Sequence, residues 1–127
     1  MAEMGRMLLD HGADIEAVDG EDWTPLMCAA WRGHKAMVEM LLERGAYVDR
    51  RLPDGATALY LASEYGQLEV ARALVKNRAN VNAENEEEVT PMAVATMNNH
   101  SQVVSLLRRH GGRSKTPAVV VVIGHRR

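Results

Sequence analysis

The sequence contains no phenylalanine and has a single cysteine, Cys28, among its 127 residues. One cysteine excludes an internal disulfide framework and favours a reducing compartment, so we expect an intracellular protein of the cytoplasm or nucleus. No apolar run reaches the roughly 18 residues that a membrane span needs. The 15 basic and 17 acidic residues nearly balance, whereas nucleic-acid-binding domains usually carry a basic excess. We therefore expect neither a membrane nor a nucleic acid as a partner.

Catalytic and metal-binding signatures are also missing. The sequence has no GxSxG, HExxH or phosphate-loop motif. Cys28 stands between Met27 and Ala29, so a small apolar filler is a better interpretation than a nucleophile. The histidines are scattered without a second ligand nearby, and we interpret His34 and His100 as structural hydrogen-bonding residues. We predict no enzyme activity, no cofactor and no metal.

Two short helices are predicted within residues 22–46. Thr24 is a typical N-cap residue, and Pro25 suits the first position of the helix that follows. That helix has apolar residues at i, i+3 and i+4, and Gly33 ends it. A second helix with the same spacing ends at Gly45, which supplies a positive φ. Neither helix can bury its apolar face alone, so we expect the two to pair antiparallel.

The pattern then returns with a period of 33 residues. The residues that recur in register are Thr24, Thr57 and Thr90; Leu26, Leu59 and Met92; Ala29, Ala62 and Ala95; Val38, Ala71 and Val104; and Leu41, Leu74 and Leu107. A fixed period of this length indicates stacked supersecondary units. The helices that we predict are 25–32 and 35–44, 58–65 and 68–77, and 91–98 and 101–110.

The first complete unit resembles the ankyrin-repeat motif nearly in full. The residues that carry the resemblance are Thr24-Pro25-Leu26, Ala29-Ala30, Gly33-His34, Leu41-Leu42 and Gly45-Ala46-Tyr47-Val48-Asp49. The resemblance implies an all-α solenoid of helix–turn–helix units, with short β-turn fingers at right angles to the helices. It also implies a non-catalytic scaffold that binds a partner protein or peptide on its concave inner-helix and finger surface.

The repeat divides the chain into five segments. We assign a partial repeat with only its second helix to 1–16, full repeats to 17–49 and 50–82, a degenerate C-terminal repeat to 83–115, and a non-repeat tail to 116–127. The chain thus opens in mid-repeat, and we expect it to be a fragment of a longer array. In the tail, Val119–Ile123 predicts a strand, which either covers the last helices, pairs with another chain or has no fixed structure.

Aromatic and charged residues mark the predicted binding surface. By resemblance, Trp23, Trp31 and Tyr65 stand on the concave face and the fingertips, and Trp, Tyr and Arg are enriched in binding hot spots. The charged residues that we expect there are Glu21, Arg32, Arg44, Arg51, Asp54 and Glu64. We predict that partner binding uses Trp23, Trp31, Arg32, Arg44, Asp54, Glu64 and Tyr65. The alternative is that the tryptophans only pack on neighbouring aliphatic side chains, although packing and binding can both hold at once.

Two other functions stay open. One is self-assembly, through an exposed N-terminal half repeat at Leu8 and Leu9 or through the valine-rich segment Val119–Ile123. The other is nucleotide or small-ligand binding near Trp31 and Arg32, because a base can stack on an indole beside a cation.

The third unit departs from the other two. Its finger, Glu84–Glu88, contains four glutamates and lacks the turn glycine that Gly55 supplies in the second unit. With Trp31 and Arg32 at the other end, this finger would give the groove a charge gradient. A partner with an acidic or apolar anchor near Trp31 and a basic segment near Glu86 would fit that gradient.

Two further expectations come from the resemblance. Asn82 is similar to asparagines that are hydroxylated in some ankyrin proteins. The histidine that usually follows Thr-Pro-Leu is replaced by Met27, Tyr60 and Ala93. Each replacement loses a hydrogen bond worth on the order of 1 kcal/mol, so we predict an array of modest stability.

Overall fold

The computed structural model of the protein describes residues 15–115, which form six helices and no strands. The helices are α1 Pro25–Arg32, α2 Lys35–Glu43, α3 Ala58–Glu64, α4 Leu68–Lys76, α5 Pro91–Met97 and α6 Ser101–Arg109. Each begins at the residue that the sequence predicted and ends at most one residue earlier, so the predicted helices are confirmed. None of these helices is long and apolar enough to cross a membrane.

Some sequence predictions concern residues outside the described range. They are the second helix of the partial repeat with Leu8 and Leu9, and the tail with Val119–Ile123. The self-assembly hypothesis therefore stays a prediction. Light scattering on the full chain and on a version that ends at Lys115 tests it.

Threonine side chains begin the first helix of each unit. Thr24, Thr57 and Thr90 are buried, and each hydroxyl accepts a 3.2 Å hydrogen bond from the amide three residues ahead. The hydroxyl thus satisfies one of the amides that a helix start leaves without a partner. In the first unit the sulfur of Met27 also accepts from the Thr24 amide, at 3.4 Å. Met27 therefore makes a hydrogen bond at a position where the family usually has histidine.

The turn between paired helices needs a residue with positive φ. Gly33 and Gly66 have φ of 77° and 69°, and Asn99 takes the same position in the third unit with φ of 63°. Asparagine tolerates this left-handed conformation better than most non-glycine residues. The turn is thus kept in the third unit although the glycine is lost.

Polar side chains tie each unit to the helix end of the unit before it. Gln67 Nε2 donates to the carbonyl of Trp31 at 2.9 Å, and His100 Nε2 lies 3.1 Å from the carbonyl of Glu64. The His100 ring passes so close to the turn that a Cβ on Gly66 would lie 2.5 Å from its Nδ1. The structural interpretation of His100 is confirmed.

The helices stack in two rows. The first helices of the units, α1, α3 and α5, pack side by side as an inner row, and α2, α4 and α6 form an outer row behind them. The apolar residues that defined the period fill the space between the rows as one continuous core. Ala62 and Ala95 are fully buried at equivalent positions of the inner row, where a small side chain lets neighbouring helices approach closely.

A hydrogen-bonded turn, the finger, precedes the first helix of each unit. In all three fingers an amide donates to the carbonyl four residues later, at 2.9 to 3.1 Å. Positive φ falls on Asp22, Gly55 and Glu88. The two fingers whose positive-φ residue is not glycine contain a side chain, Asp19 or Asn85, whose oxygen accepts from two turn amides. Asn85 therefore supports the third finger where the sequence lacks a glycine.

Candidate functional site

Three aromatic rings from two adjacent units meet along the inner row. Trp23 of the first finger contacts Trp31 in the last turn of α1 edge-on, with ring centroids 5.7 Å apart. Trp31 in turn contacts Tyr65, the C-cap of α3, edge-on at 6.0 Å. Such edge-to-face pairs hold rings in a fixed mutual orientation. The three aromatic residues singled out in the sequence thus form one cluster, which we call the aromatic ladder.

The rings of the ladder differ in exposure. Trp31 is 37% exposed and Tyr65 is 51% exposed. Trp23 is half-buried and packs on a small cluster that includes Met27 and Leu52. Trp23 therefore packs on side chains that include Leu52 of the next unit, and its contact with a partner stays a prediction. Trp31 and Tyr65 are the parts of the ladder that a partner can reach.

A positive charge lies at the first-unit end of the ladder. The guanidinium of Arg32 lies 5.6 Å over the ring of Trp31, within the range of a cation–π interaction. This contact covers part of the indole with a cation and orients the arginine. Nucleotide binding near these two residues stays a prediction.

Negative charge gathers one unit further along, around the phenol of Tyr60. Burial raises the pKa of Tyr60 to about 12. The carboxylates whose charges add to this shift are Glu64, Asp54 and Glu87. Asn85 Nδ2 donates to the phenol oxygen at 3.1 Å, which lowers the pKa slightly in return. Burial also raises the pKa of Glu64, and the neighbouring charge of Asp54 raises it further.

No salt bridge within residues 15–115 involves Asp54, Glu64 or Glu87. The charge of Asp54, which adds to the effect of burial on the pKa of Glu64, is therefore not offset by a salt bridge to a described cation. This part of the surface presents negative charge to solvent.

The acidic residues at the fingertips follow the period of the fold. Glu21, Asp54 and Glu87 occupy the same turn position in successive units, and all three are exposed. The tips of the second and third fingers touch, since the Glu86 amide donates to the carbonyl of Asp54 at 2.6 Å. We call these three residues the acidic fingertip row. The sequence analysis included Glu87 only as part of the acidic Glu84–Glu88 finger, although the 33-residue spacing applied to acidic residues would have aligned it with Glu21 and Asp54.

The other glutamates of the third finger are paired. Lys115 Nζ lies 3.0 Å from a Glu84 carboxylate oxygen and 3.1 Å from one of Glu88. Hydrogen bonds to the same two carboxylates raise the pKa of Lys115. The charge of this finger therefore lies mainly at its tip, on Glu86 and Glu87. The predicted charge gradient along the groove stays a prediction.

One predicted binding residue lies on the other layer of the fold. Arg44 is the C-cap of α2, a helix of the outer row. The predicted residues that lie on the inner row and its fingers are Trp23, Trp31, Arg32, Asp54, Glu64 and Tyr65. The assignment of Arg44 to the binding surface stays a prediction.

The structure also describes the surroundings of three other residues from the sequence analysis, Cys28, His34 and Asn82. Cys28 is half-buried on α1, and burial raises the pKa of its thiol, with Asp19 adding to the shift and Arg32 opposing it. A thiol held in its protonated form is a poor nucleophile, which favours a packing role. His34 makes no side-chain hydrogen bond within the described residues, so its interpretation as a structural hydrogen-bonding side chain was wrong; only its backbone takes part, the carbonyl accepting from the Val38 amide at the start of α2 at 3.0 Å.

Asn82 bridges two loops. Its side-chain oxygen accepts from the Arg113 amide at 2.8 Å, and its Nδ2 donates to the Gly111 carbonyl at 3.1 Å. The amide thus ties the segment after α6 to the loop before the third finger. Hydroxylation of Asn82 stays a prediction.

Stacked helix pairs joined by regularly spaced fingers define a helical-repeat solenoid. A family model described as ankyrin repeats in many copies matches residues 3–42, and one described as ankyrin repeats in three copies matches residues 47–117. The second match alone spans more than half of the chain, so the chain belongs to the ankyrin-repeat family. Ankyrin repeats are generally protein–protein interaction modules and are generally non-catalytic.

Individual relatives are similar over most of this chain. Protein fem-1 homolog A-like of Mus musculus is 35% identical over 77% of the chain and 15% of its own length. Ankyrin repeat and KH domain-containing protein mask-1 of Caenorhabditis elegans is 35% identical over 83% of the chain and 4% of its own length. B-cell lymphoma 3 protein homolog of Mus musculus is 36% identical over 85% of the chain and 24% of its own length. The chain thus spans a quarter or less of the length of these curated relatives.

Proposed function

We propose that the chain is a non-catalytic recognition module that holds a partner protein or peptide on the aromatic ladder and the fingers beside it. The observation that carries the proposal is the environment of Trp31. Its exposed indole is oriented by Trp23 on one side and Tyr65 on the other, with Arg32 over the ring. Side chains that are already ordered lose little entropy on binding, and Trp, Tyr and Arg dominate binding hot spots.

The charges around the ladder support a protein partner over a nucleic acid. The fingertips that flank the ladder are acidic in all three units, and they would repel a phosphate backbone. The family supports the same choice, since ankyrin repeats generally bind proteins. An intracellular partner, cytoplasmic or nuclear, fits a chain with a single cysteine.

The proposal is tested with a peptide selected on the purified protein by phage display. Its Kd is measured on the wild type, on Trp31→Ala and on Tyr47→Ala. Tyr47 is 69% exposed on the loop after α2, so its removal is a matched control for the loss of an exposed aromatic ring. We expect Trp31→Ala to raise the Kd about tenfold or more, because hot-spot truncations commonly cost upward of 1.4 kcal/mol.

Tyr47→Ala should leave the Kd within about twofold of the wild type, since most contacts outside a hot spot are nearly neutral. Circular dichroism and urea unfolding of both variants check that each keeps the fold. An unchanged Kd on folded Trp31→Ala, or equal losses on both variants, would overturn the proposal.

A further inference from the structure

Each unit packs against the unit before it through an apolar contact that recurs along the stack. Leu61 of α3 shares a buried cluster with Met27 of the first unit. One unit further on, Val94 of α5 belongs to a buried cluster against which Tyr60 of the second unit packs. Leu61 and Val94 stand at the same position of the repeat, and so do Met27 and Tyr60. The same contact is thus made twice with different side chains.

A polar contact accompanies the apolar one. Gln67 and His100 each lie at hydrogen-bond distance from a main-chain carbonyl 36 residues earlier, that of Trp31 at 2.9 Å and that of Glu64 at 3.1 Å. In both units this carbonyl belongs to the same helix as the packing side chain and lies about one turn further along. The first helix of a unit therefore offers its successor one large side chain and one carbonyl.

In the described part of the chain, α1 has the receiving side of the apolar contact without its counterpart. Cys28 stands at the position of Leu61 and Val94 and is half-buried, whereas those two side chains are 5% and 3% exposed. Pro25, about one turn earlier, is also half-buried, although the residues at its position in α3 and α5 are almost fully buried. This side of α1 is therefore less covered than the same side of the other two inner helices.

The polar contact is incomplete at the same place. His34 stands at the position of Gln67 and His100, and its side chain makes no hydrogen bond within residues 15–115. The interval of 36 residues that separates donor and acceptor in the other units leads from His34 to a position ahead of Met1. The partial repeat predicted for 1–16 contains only a second helix, so a single first helix would complete that unit.

We infer that the open side of α1, formed by Pro25, Cys28 and His34, docks one short helix of a partner protein. That helix places a large side chain, such as methionine or tyrosine, against Cys28 and a main-chain carbonyl about one turn later on the His34 ring. The chemistry follows from continuity with the interface that the chain already forms between its own units. The inference goes beyond the proposed function, because it uses the end of the stack rather than the aromatic ladder.

The test uses a synthetic peptide with the sequence of residues 55–67, which contains α3 and makes this contact with the third unit within the chain. Cys28 is the only cysteine of the chain and the peptide has none, so its rate of alkylation by iodoacetamide reports on the open side of α1. Because a helix of this length is marginal by itself, the peptide is added up to millimolar concentration. We expect it to slow alkylation of Cys28 in the full chain several-fold.

Variants locate the contact. His34→Ala should raise the peptide concentration needed for half protection about fivefold, the loss expected for one hydrogen bond. His34→Gln should keep the wild-type value, because Gln67 makes the same contact in the second unit. Tyr65→Ala removes an exposed ring of the aromatic ladder and should also leave the protection unchanged. A peptide with Ala62→Pro should not protect Cys28, since proline breaks the helix. Circular dichroism checks that each protein variant keeps the fold.

The outcomes decide the inference independently of the proposed function. Absence of protection by the unchanged peptide would overturn it, as would equal protection by the proline peptide or an unchanged value for His34→Ala. Loss of protection on Tyr65→Ala would place the peptide on the aromatic ladder and would contradict the inference too. If Cys28 becomes protected without peptide as the protein concentration rises, a second copy is the occupant and the assignment to a partner helix is wrong. None of these results alters the Trp31→Ala test of the proposed function.

Discussion

At the scale of single residues, two constraints can favour glycine in a turn: a positive φ, and a lack of space for a Cβ. Gly66 has positive φ, and a Cβ there would lie 2.5 Å from the His100 ring. Gly45 has positive φ with open space around it, and Gly20 has neither constraint. We predict that Gly45→Ala costs about 1 kcal/mol of unfolding free energy, Gly66→Ala more, and Gly20→Ala less than about 0.5 kcal/mol. Urea denaturation of the three variants checks the order.

Equal losses for Gly45→Ala and Gly66→Ala would contradict this account. They would mean that the His100 ring moves aside from the turn at no cost, and that its contact with the Glu64 carbonyl contributes nothing.

Tyr60 gives the protein a pH dependence in the alkaline range. Its pKa is raised to about 12 in the fold, chiefly by burial, whereas an ordinary tyrosine titrates near 10. The folded state thus holds the phenol proton more tightly than the unfolded state. The stability from this difference is fully present below about pH 10 and is lost as the pH rises toward 12.

We predict that Tyr60→Phe weakens the fall of stability over this alkaline window. The measurement is the urea midpoint at a series of pH values for Tyr60→Phe, the wild type and Tyr47→Phe, a control that leaves Tyr60 in place. A parallel fall in all three proteins would show that the Tyr60 phenol does not carry the effect.

At the scale of helices, the N-cap residue of α5 makes more side-chain hydrogen bonds than the N-cap residue of α3. Thr90 accepts hydrogen bonds from an α5 amide and from the Lys115 amide, and it donates to the Arg113 carbonyl. Thr57 accepts only from an α3 amide. We predict a loss of about 1 kcal/mol for Thr57→Ala and about 2–3 kcal/mol for Thr90→Ala, since the second leaves further groups without partners.

Chemical denaturation of both alanine variants measures these losses. Thr24→Ala serves for comparison, because the Thr24 hydroxyl, like that of Thr57, accepts a single amide hydrogen bond. A Thr90→Ala loss no larger than the other two would mean that the segment after α6 does not stabilise the third unit.

The helices were predictable from sequence because their ends are local features. A threonine cap or a turn glycine acts within a few residues, so Thr24 and Gly33 mark α1 without knowledge of the fold. The third finger was less predictable, because Glu88 rather than a glycine takes positive φ there and the Asn85 side chain accepts hydrogen bonds from two turn amides.

The candidate site was predictable in part. The period placed Trp31 and Tyr65 on the same layer, but contact between their rings depends on the stacking distance between units. The half-burial of Trp23 likewise depends on Leu52, which is distant in sequence. Arg44 ends the second helix of its unit, and the period alone would have placed it on the outer row.

At the scale of the whole molecule, small residues of the inner row set how closely the units stack. Ala62 is fully buried between neighbouring helices, whereas Ala36 is exposed on α2. We predict that Ala62→Leu costs about 1–3 kcal/mol through overpacking, and that Ala36→Leu stays within about 0.5 kcal/mol. Because stability in a solenoid includes a term for each interface, Ala62→Leu should also broaden the unfolding transition.

Urea denaturation followed by circular dichroism measures both the midpoint and the slope of this transition. Similar curves for Ala62→Leu and Ala36→Leu would show that the inner row has room for larger side chains and that the units do not depend on close stacking.

The contacts that the Gln67 and His100 side chains make with the preceding unit bear on how such a chain evolves. Both end on main-chain carbonyls, one belonging to Trp31 and the other to Glu64, whose side chains have nothing in common. A mutation at either acceptor therefore changes the side chain on the surface while the hydrogen bond between units persists. Because a main-chain carbonyl is present whatever the side chain, duplicated or recombined units can keep this joint while their surface side chains change.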